Sequence, residues 1–584
     1  MSTVVIDPVT RIEGHLNIQV ETDSSGVVTQ ASSSGTMMRG IEIILKGRDP
    51  REAWAFTQRI CGVCTGVHGL TSVRAVEDAL GYAIPTNARH IRNLIMGAQT
   101  VQDHVTHFYQ LASMDWVNVV SASKADPVAT STLQKCYSNW HNNSPAYFES
   151  VRQKLSNFIG SGQLGLFSNA YWDHPAYKLA PEMNLMLFAH WLEALEWQRE
   201  VIRIHAVFGG KNPHPNFVIG GVPCTFNMAP NAAGILEPAL GKTGVDQAGL
   251  DLVQKCITQM RNFVDQVYRT DVLALGSQYK DWFRRGEGLG NFLTYGDYPQ
   301  DDSADVSSNL FVPRGAILGR DLSRVHAVDL RAPDEVQEFV AHSWYDYSAG
   351  KSTGLHPFQG ETTPNYTGPQ TPHSSLDVSE PYSWVKAPRW KGHPMEVSPL
   401  ARMLMMYAKR DASVRSHIDR ALHDLNLPFQ SMYSTMGRML AQSIEAQVIS
   451  DQLQVWFDQL TANVANGDFR THDASKFDPA TWPATAQGVG FSEAARGALG
   501  HWLTIENGKI ANYQCVVPTT WNAAPRDQKG HGGAAEAALV GHRLAVPSQP
   551  LELLRTIHSY NPCMACAVHL IGERQEMLNV TVHA

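Results

Sequence analysis

Two C-x-x-C pairs stand at opposite ends of this sequence, Cys61/Cys64 and Cys563/Cys566 in a chain of 584 residues. A histidine follows each pair, His68 after the first and His569 after the second. Two thiolates three residues apart can converge on one metal ion, and a nearby histidine can join or orient such a site. If the pairs share a site, the chain must bring its ends together, and everything between them is an excursion from that closure. Four soft ligands suit zinc, an iron–sulfur cluster or nickel. From spacing alone a structural four-cysteine zinc site leads. A thioredoxin-like site is disfavoured, because no βαβ pattern surrounds either pair.

The other four cysteines, Cys136, Cys224, Cys256 and Cys515, are isolated and read as small buried hydrophobes. Eight cysteines are too few for a disulfide scaffold in a chain this long. Hydrophobic residues make up 43% and charged residues only 17%, against roughly 25% charged in an average soluble domain. That balance buries a sizeable core, excludes a disordered chain, and hints that part of the surface is covered by another subunit. With 47 basic and 55 acidic side chains the net charge is 47 − 55 = −8, without Lys/Arg clusters, which argues against nucleic acid as a partner. No run approaches the ~18 apolar residues of a membrane helix. The opening MSTVVIDPVTRIEGH has neither the basic start nor the apolar run of a signal peptide. Export would then depend on a signal carried by another chain.

Leu16, Ile18 and Val20, then Val27 and Val28 beyond a Ser-Ser-Gly turn, alternate as a β-hairpin. From about Asn93 the spacing becomes helical: Val101, Val105, Phe108 and Leu111, then Leu185, Phe188, Leu192 and Leu195, then Leu252, Ile257, Phe263 and Val267. Residues 397–463 predict two more long helices. Between Gly286 and His393 the composition shifts to Gly, Pro, Asp, Ser and Thr, which predicts a loop-rich excursion over the surface. The expected fold is mainly α with small β elements: a large helical-bundle core, strands at both termini, and this excursion, in one domain over 1–569.

The residues around the cysteines narrow the metal. RICGVCTGVH from Arg59 to His68 and NPCMACAVH from Asn561 to His569 resemble the two metal-binding signatures of the nickel–iron hydrogenase large subunit. DPVTRIEGH (7–15), GGKNPHP (209–215), EAARG (493–497) and NYQCVVPTTWN (512–522) also resemble that family, in the same order. The resemblance covers essentially the whole chain and is closest to membrane-bound, periplasmic uptake enzymes. It implies reversible heterolytic cleavage of H2 into protons and electrons, with uptake feeding a respiratory chain. It also implies a nickel–iron centre in which Cys61 and Cys563 are terminal nickel ligands, Cys64 and Cys566 bridge to iron, and iron carries carbon monoxide and cyanide. Arg496 would lie over the metals, oriented by Asp103. Glu13 would pass protons from the nickel thiolates, and either a thiolate, that of Cys563, or the Arg496 guanidine would take the proton transiently. Glu42 and His569 match ligands of a magnesium ion. His68 would donate a hydrogen bond to a bridging thiolate, and Thr519 one to a cyanide. Without the motifs, Arg496–Asp103 is an ordinary ion pair, Glu13 a solvated strand residue, and His68 and Thr519 satisfied buried polar groups.

Two positions depart from the family pattern: Asn561 stands where Asp is common, and Ala495 where Pro is common. An amide cannot carry a carboxylate's charge, so the expectation is altered tuning of rate, direction or gas tolerance with the metal ligands intact. The residues after His569, 570–584, resemble an extension that a maturation endopeptidase removes once nickel is inserted by its chaperones, making this sequence a precursor. Electrons need a route that this chain has no spare cysteine cluster to provide, which implies an obligate iron–sulfur small subunit and, through it, a membrane cytochrome. The expected location is the periplasmic side, held at a membrane by the partner, with the cytoplasm as the alternative. Two other readings stand: an H2-sensing regulatory subunit, against which the tail argues, and a non-catalytic protein with structural zinc.

Overall fold

In this computed structural model the described residues are 2–38, 40–162, 167, 170–228, 244–301, 308–369 and 376–567. His569 and the segment 570–584 lie outside the described residues.

The N-terminal alternation forms an antiparallel sheet in which β1 (Ser2–Ile6) pairs with β2 (Leu16–Thr22), and β2 with β3 (Val28–Gly35). The predicted turn is closed by Gly26 at φ 77° and by the Asp23 carboxylate, which accepts from the Ser25 and Val27 N–H groups. Leu16, Ile18 and Val20 are buried, and so are Asn17 and Gln19, because both faces of β2 are covered. The loop from Asp7 to His15 hangs between β1 and β2.

Helix begins earlier than the periodicity indicates. α1 (Val67–Leu80) follows the first cysteine pair directly, and α2 (Thr86–Thr106) starts seven residues before Asn93. The first turns of α2 bury Arg89, His90, Arg92 and Asn93 together with their apolar neighbours, so no polar face marks the helix in sequence. Arg92 is satisfied by Glu77 of α1 at 2.6 Å. α3 (Pro181–Val201) and α4 (Gln247–Phe263) occupy the expected segments. Residues 397–463 make three helices, not two: α5 (Pro399–Ala408), α6 (Ala412–Leu425) and α7 (Thr435–Ala465). The break falls where Arg410 turns left-handed at φ 66° and Asp411 caps α6 through the Val414 N–H. α7 is buried on all sides as far as Ser450, then only through Leu453, Trp456, Phe457, Leu460 and Val464. It packs along α2 at Gly97, where an added Cβ would meet Leu453 at 2.8 Å.

A meander of β4 (Thr485–Ala494), β5 (Gly497–Glu506) and β6 (Lys509–Val516) covers α1. Asn507 and Gly508, both at positive φ, form the tight turn between β5 and β6. On β4, Gly488 and Gly490 let α1 lie against the strand: a Cβ on either would stand 2.0 Å from a carbonyl oxygen of α1. Four short helices follow the sheet, α8 (Pro518–Asn522), α9 (Ala534–Leu539), α10 (Leu551–Ser559) and α11 (Met564–Ala567). The strands near the C-terminal end are therefore those of β4–β6, and the described chain beyond them is helical. These helices are short and almost entirely buried, so their ends are hard to place from sequence.

The excursion does more than cover the surface. Its short ribbons bring Leu293, Tyr295, Val336 and Trp390 against Val489, Phe491, Trp502 and Trp521 in a hydrophobic cluster on the C-terminal sheet. The main cluster runs from Val9 to Ala567. Of the isolated cysteines, Cys256 and Cys515 are buried and Cys224 is half-buried, but Cys136 is exposed: it sits near the end of helix Pro127–Tyr137, on the side away from its buried Thr130, Ser131 and Gln134.

Backbone hydrogen bonds draw the ends together. Val28 N–H donates to His542 O and Gly541 N–H to Val28 O, while Leu544 N–H reaches Gly26 O. Glu536 of α9 accepts on one oxygen from the Ser33 N–H and the Tyr382 hydroxyl, each at 2.9 Å.

Candidate metal centre

Three segments meet: the Asp7–His15 loop, the turn entering α1, and the strand-to-helix step at 561–567. Glu13 bridges Cys563 strand-fashion, and its carbonyl accepts from the Met564 N–H at 2.7 Å. Gly14, at φ 82°, makes this contact possible, since a Cβ there would lie 2.6 Å from the Ala565 nitrogen. The Cys61 sulfur receives the N–H groups of Val63 and Cys64 at 3.3 and 3.2 Å, which folds the first pair around it. The result is a buried cluster of four sulfurs, Cys61, Cys64, Cys563 and Cys566, all within 4.8 Å of one another. Cys61 and Cys563 are 3.3 Å apart, and Cys64 and Cys566 3.1 Å.

Burial opposes ionisation of Cys61, but hydrogen bonds from the other three thiols and the Arg496 charge outweigh it and hold that thiol well below its ordinary value. Burial, reinforced by hydrogen bonding with the neighbouring thiols, pushes the Cys563 and Cys566 thiols well up. The protein's own charges thus accommodate one thiolate. Four need cations, and a soft divalent pair fits this donor set.

Arg496 stands at the tip of the β4–β5 hairpin, whose two-residue loop is Ala495–Arg496 between paired Ala494 and Gly497. Its guanidinium reaches Asp103 of α2 at 3.5 Å, while its Nε has no hydrogen-bond partner among the described residues. Burial, offset by Arg496, raises Asp103 to about 6. Ala495 occupies the first loop position, where the family's Pro is sterically at home. Asn561 is left-handed at φ 50°, a conformation that Asn tolerates, and its Nδ2 is unpartnered among the described residues. Thr519 accepts the Cys563 N–H at 3.0 Å, which leaves its hydroxyl hydrogen to donate elsewhere. His68 Nε2 lies 3.4 Å from the Cys566 sulfur. The Glu13 carboxylate accepts from the Ala565 N–H at 3.1 Å and lies 3.4 Å from the Cys563 sulfur.

Glu42 lies in a separate buried cluster, accepting from the Cys515 N–H and the Thr362 hydroxyl. Lys386 is shared between Glu42 at 3.6 Å and Glu338 at 3.4 Å. Burial, opposed by Lys386 and reinforced by Glu42, pushes Glu338 to about 7. Ionised together, the two carboxylates would exceed the one ammonium by a negative charge, which Glu338 relieves by taking a proton near pH 7 and which a hard cation would offset instead.

Two buried hubs that support the centre escaped the sequence reading. Arg402 of α5 binds Glu445 at 2.5 and 2.6 Å, Glu493 at 3.0 Å, and the carbonyls of Ala494 and Ala495, so it fixes the hairpin tip that carries Arg496. Asp115 receives Arg11 and His558 at 2.5 and 2.6 Å, while His558 donates to Thr10 O, which ties the Glu13 loop to α10. The signal was present in the form of a single charge within an apolar helix, as in PLARMLMM, because such charges are buried only when paired.

The family model described as nickel-dependent hydrogenase matches residues 39–569, and one described as HoxL-like matches 3–34. The chain belongs to the nickel-dependent hydrogenase family. The uptake hydrogenase large subunit of Bradyrhizobium diazoefficiens is 51% identical, over 99% of this chain and 97% of its own. The hydrogenase-1 large chain of Escherichia coli is 50% identical over the same shares. Among solved structures, the Ni-Fe-Se hydrogenase of D. vulgaris Hildenborough in the reduced state matches with TM-score 0.74 at 31% identity, covering 97% of this chain and all of that one. A four-thiolate site taken alone also fits structural zinc; membership of this hydrogenase family favours nickel.

Proposed function

We propose that this chain is the catalytic large subunit of a nickel–iron hydrogenase that oxidises H2. The observation that carries the proposal is the cluster of four buried sulfurs with the Glu13 carboxylate 3.4 Å from Cys563. Cys61, Cys64, Cys563 and Cys566 would hold the metals, with Cys64 and Cys566 shared between nickel and iron. When bound, that pair supplies the Lewis-acid and redox chemistry for heterolytic H2 cleavage. The chain's part is proton handling and electrostatics. Cys563 Sγ receives a proton and passes it to Glu13 Oε2, the nearest carboxylate oxygen, on the way out. Arg496, kept cationic by Asp103 and the thiolates, offsets the negative charge of the cluster. Thr519 and Asn561 have uncommitted donors that would serve carbon monoxide and cyanide ligands on iron. Glu42, with His569, would take a magnesium ion, for which the excess charge of Glu42 and Glu338 over Lys386 is the support.

Among the described residues the four cysteines are the only group of three or more side chains placed to hold a metal, so electrons must leave through an iron–sulfur partner subunit. Met37 and Ile43, exposed on the segment before the first cysteine pair, and Val63, exposed within it, suit cover by that partner. Among the described residues no helix is long and apolar enough to cross a membrane. We assign the complex to the periplasmic side, docked on a membrane cytochrome. The family match ends at 569, which supports reading 570–584 as an extension removed by an endopeptidase after nickel delivery.

The test is quantification of nickel, iron and zinc in the purified complex, together with its intact mass and H2-dependent dye reduction. Nickel, iron beyond the partner's clusters, a chain ending at His569 and H2-dependent reduction are expected. Zinc alone, without turnover, would sink the proposal.

A further inference from the structure

Behind Cys566 a line of buried polar groups runs away from the metal centre. His68 Nε2 faces the Cys566 sulfur at 3.4 Å, and its Nδ1 lies 3.1 Å from His501 Nε2. His501 Nδ1 lies 2.8 Å from the Tyr513 hydroxyl, which is 2.9 Å from Ser72 Oγ. All four side chains behind the cysteine are buried. The backbone fixes their order: His68 and Ser72 are one turn apart on α1, while His501 on β5 is paired with Cys515, two residues along the same face from Tyr513 on β6.

Each neutral imidazole has one N–H and one bare nitrogen, so the line must have a direction. A thiolate at Cys566 accepts hydrogen bonds and donates none. His68 must then present Nε2–H to the sulfur and a bare Nδ1 to His501. His501 in turn must donate from Nε2 and accept at Nδ1 from the Tyr513 hydroxyl. Burial pushes the Tyr513 phenol well up, so it keeps its proton and remains a donor. The Tyr513 hydroxyl is also placed to donate to Ser72 Oγ, but it has a single hydrogen. With a thiolate at Cys566 setting the line's direction, that hydrogen goes to His501 Nδ1, and the Ser72 hydroxyl turns to donate to the phenolic oxygen.

We propose that His501 and Tyr513 are positioning residues that hold His68 in the tautomer donating to the Cys566 thiolate, and so set the electron density of the metal centre. The inference rests on Cys566 being a metal ligand. A hydrogen bond to a ligating sulfur raises the reduction potential of the metal it holds. Releasing the His68 ring would weaken that bond and lower the potential.

The experiment compares wild type, His501→Leu, His501→Gln and Tyr513→Phe in the metal-loaded complex, reading nickel content, the nickel electron paramagnetic resonance and its midpoint potential. His501→Leu should keep its nickel, shift the g values and lower the midpoint so that the redox equilibrium moves at least tenfold, about 59 mV for one electron. His501→Gln, which restores a donor toward His68, should recover most of the shift. Tyr513→Phe, which loses only the hydroxyl, should shift the same way by less, and serves if His501→Leu does not fold. Variants that carry nickel with wild-type g values and midpoint would overturn the proposal. A wild-type complex without any nickel signal would instead remove the assignment of the four cysteines.

Discussion

Glu536→Gln should stabilise the protein, and only above a defined pH. Glu536 is buried, and the oxygen facing Ser33 and Tyr382 receives both their donors, while the other has no partner among the described residues. Burial outweighs those hydrogen bonds and the Arg526 and Arg389 charges, and raises the carboxyl from 4.5 to about 7. A group with a raised folded pKa favours the fold while protonated; that advantage is complete below pH 4.5 and is lost as the pH rises through 7. The shift of about 2.5 units corresponds to about 3 kcal/mol at about 1.4 kcal/mol per unit. Glutamine keeps the accepting oxygen and places an uncharged amide where the acid carries its proton. Urea unfolding of wild type and Glu536→Gln should therefore coincide at pH 4, differ by about 2 kcal/mol at pH 6, and differ by about 3 kcal/mol in favour of the variant at pH 8. A variant no more stable than wild type at pH 8, or a gap independent of pH, would show that the carboxylate is ionised against a partner and refute the argument.

Arg402→Met strands Glu445, which Arg402 holds at about 2, and should cost about 3–5 kcal/mol; H2 oxidation should fall further than nickel content, because the Arg496 hairpin loses its anchor. Gly490→Ala drives a methyl group into the Thr71 carbonyl and should cost at least about 1–3 kcal/mol, read as a lower urea midpoint together with reduced nickel loading. Asn561→Asp combined with Ala495→Pro should change turnover rate, directional bias or gas tolerance at unchanged nickel content, as measured by film voltammetry. Identical catalytic behaviour would remove the role given to these two positions.

The site was more legible than its supports. The cysteine motifs, Glu13 and Arg496 lie in short contiguous segments, so their spacing and neighbours carry the information. Arg402 and Glu493, 91 residues apart, or Asp115 and His558, 443 apart, meet only through the fold. Nothing local marks them beyond one charge in an apolar stretch. α1 went unread because its polar side is confined to Arg74 and Asp78, and the start of α2 because its polar residues are buried with the apolar ones; the β5–β6 turn was not placed although Asn507-Gly508 signals it. The excursion looked superficial because its buried aromatics are scattered among loop residues rather than arranged in periodic runs.

The joining of the two chain ends makes metal capture a checkpoint on folding. Cys61 and Cys563 are 502 residues apart, and closing a loop of that length costs about 5–6 kcal/mol in chain entropy beyond a constant. Neither pair can assemble the full ligand set alone, and in the fold the two are held together through the helices and the meander between them. The last cysteines also arrive last from the ribosome. A chain with a misfolded interior therefore presents two separate half-sites, and nickel retained by the protein certifies that the whole length between them has been correctly assembled.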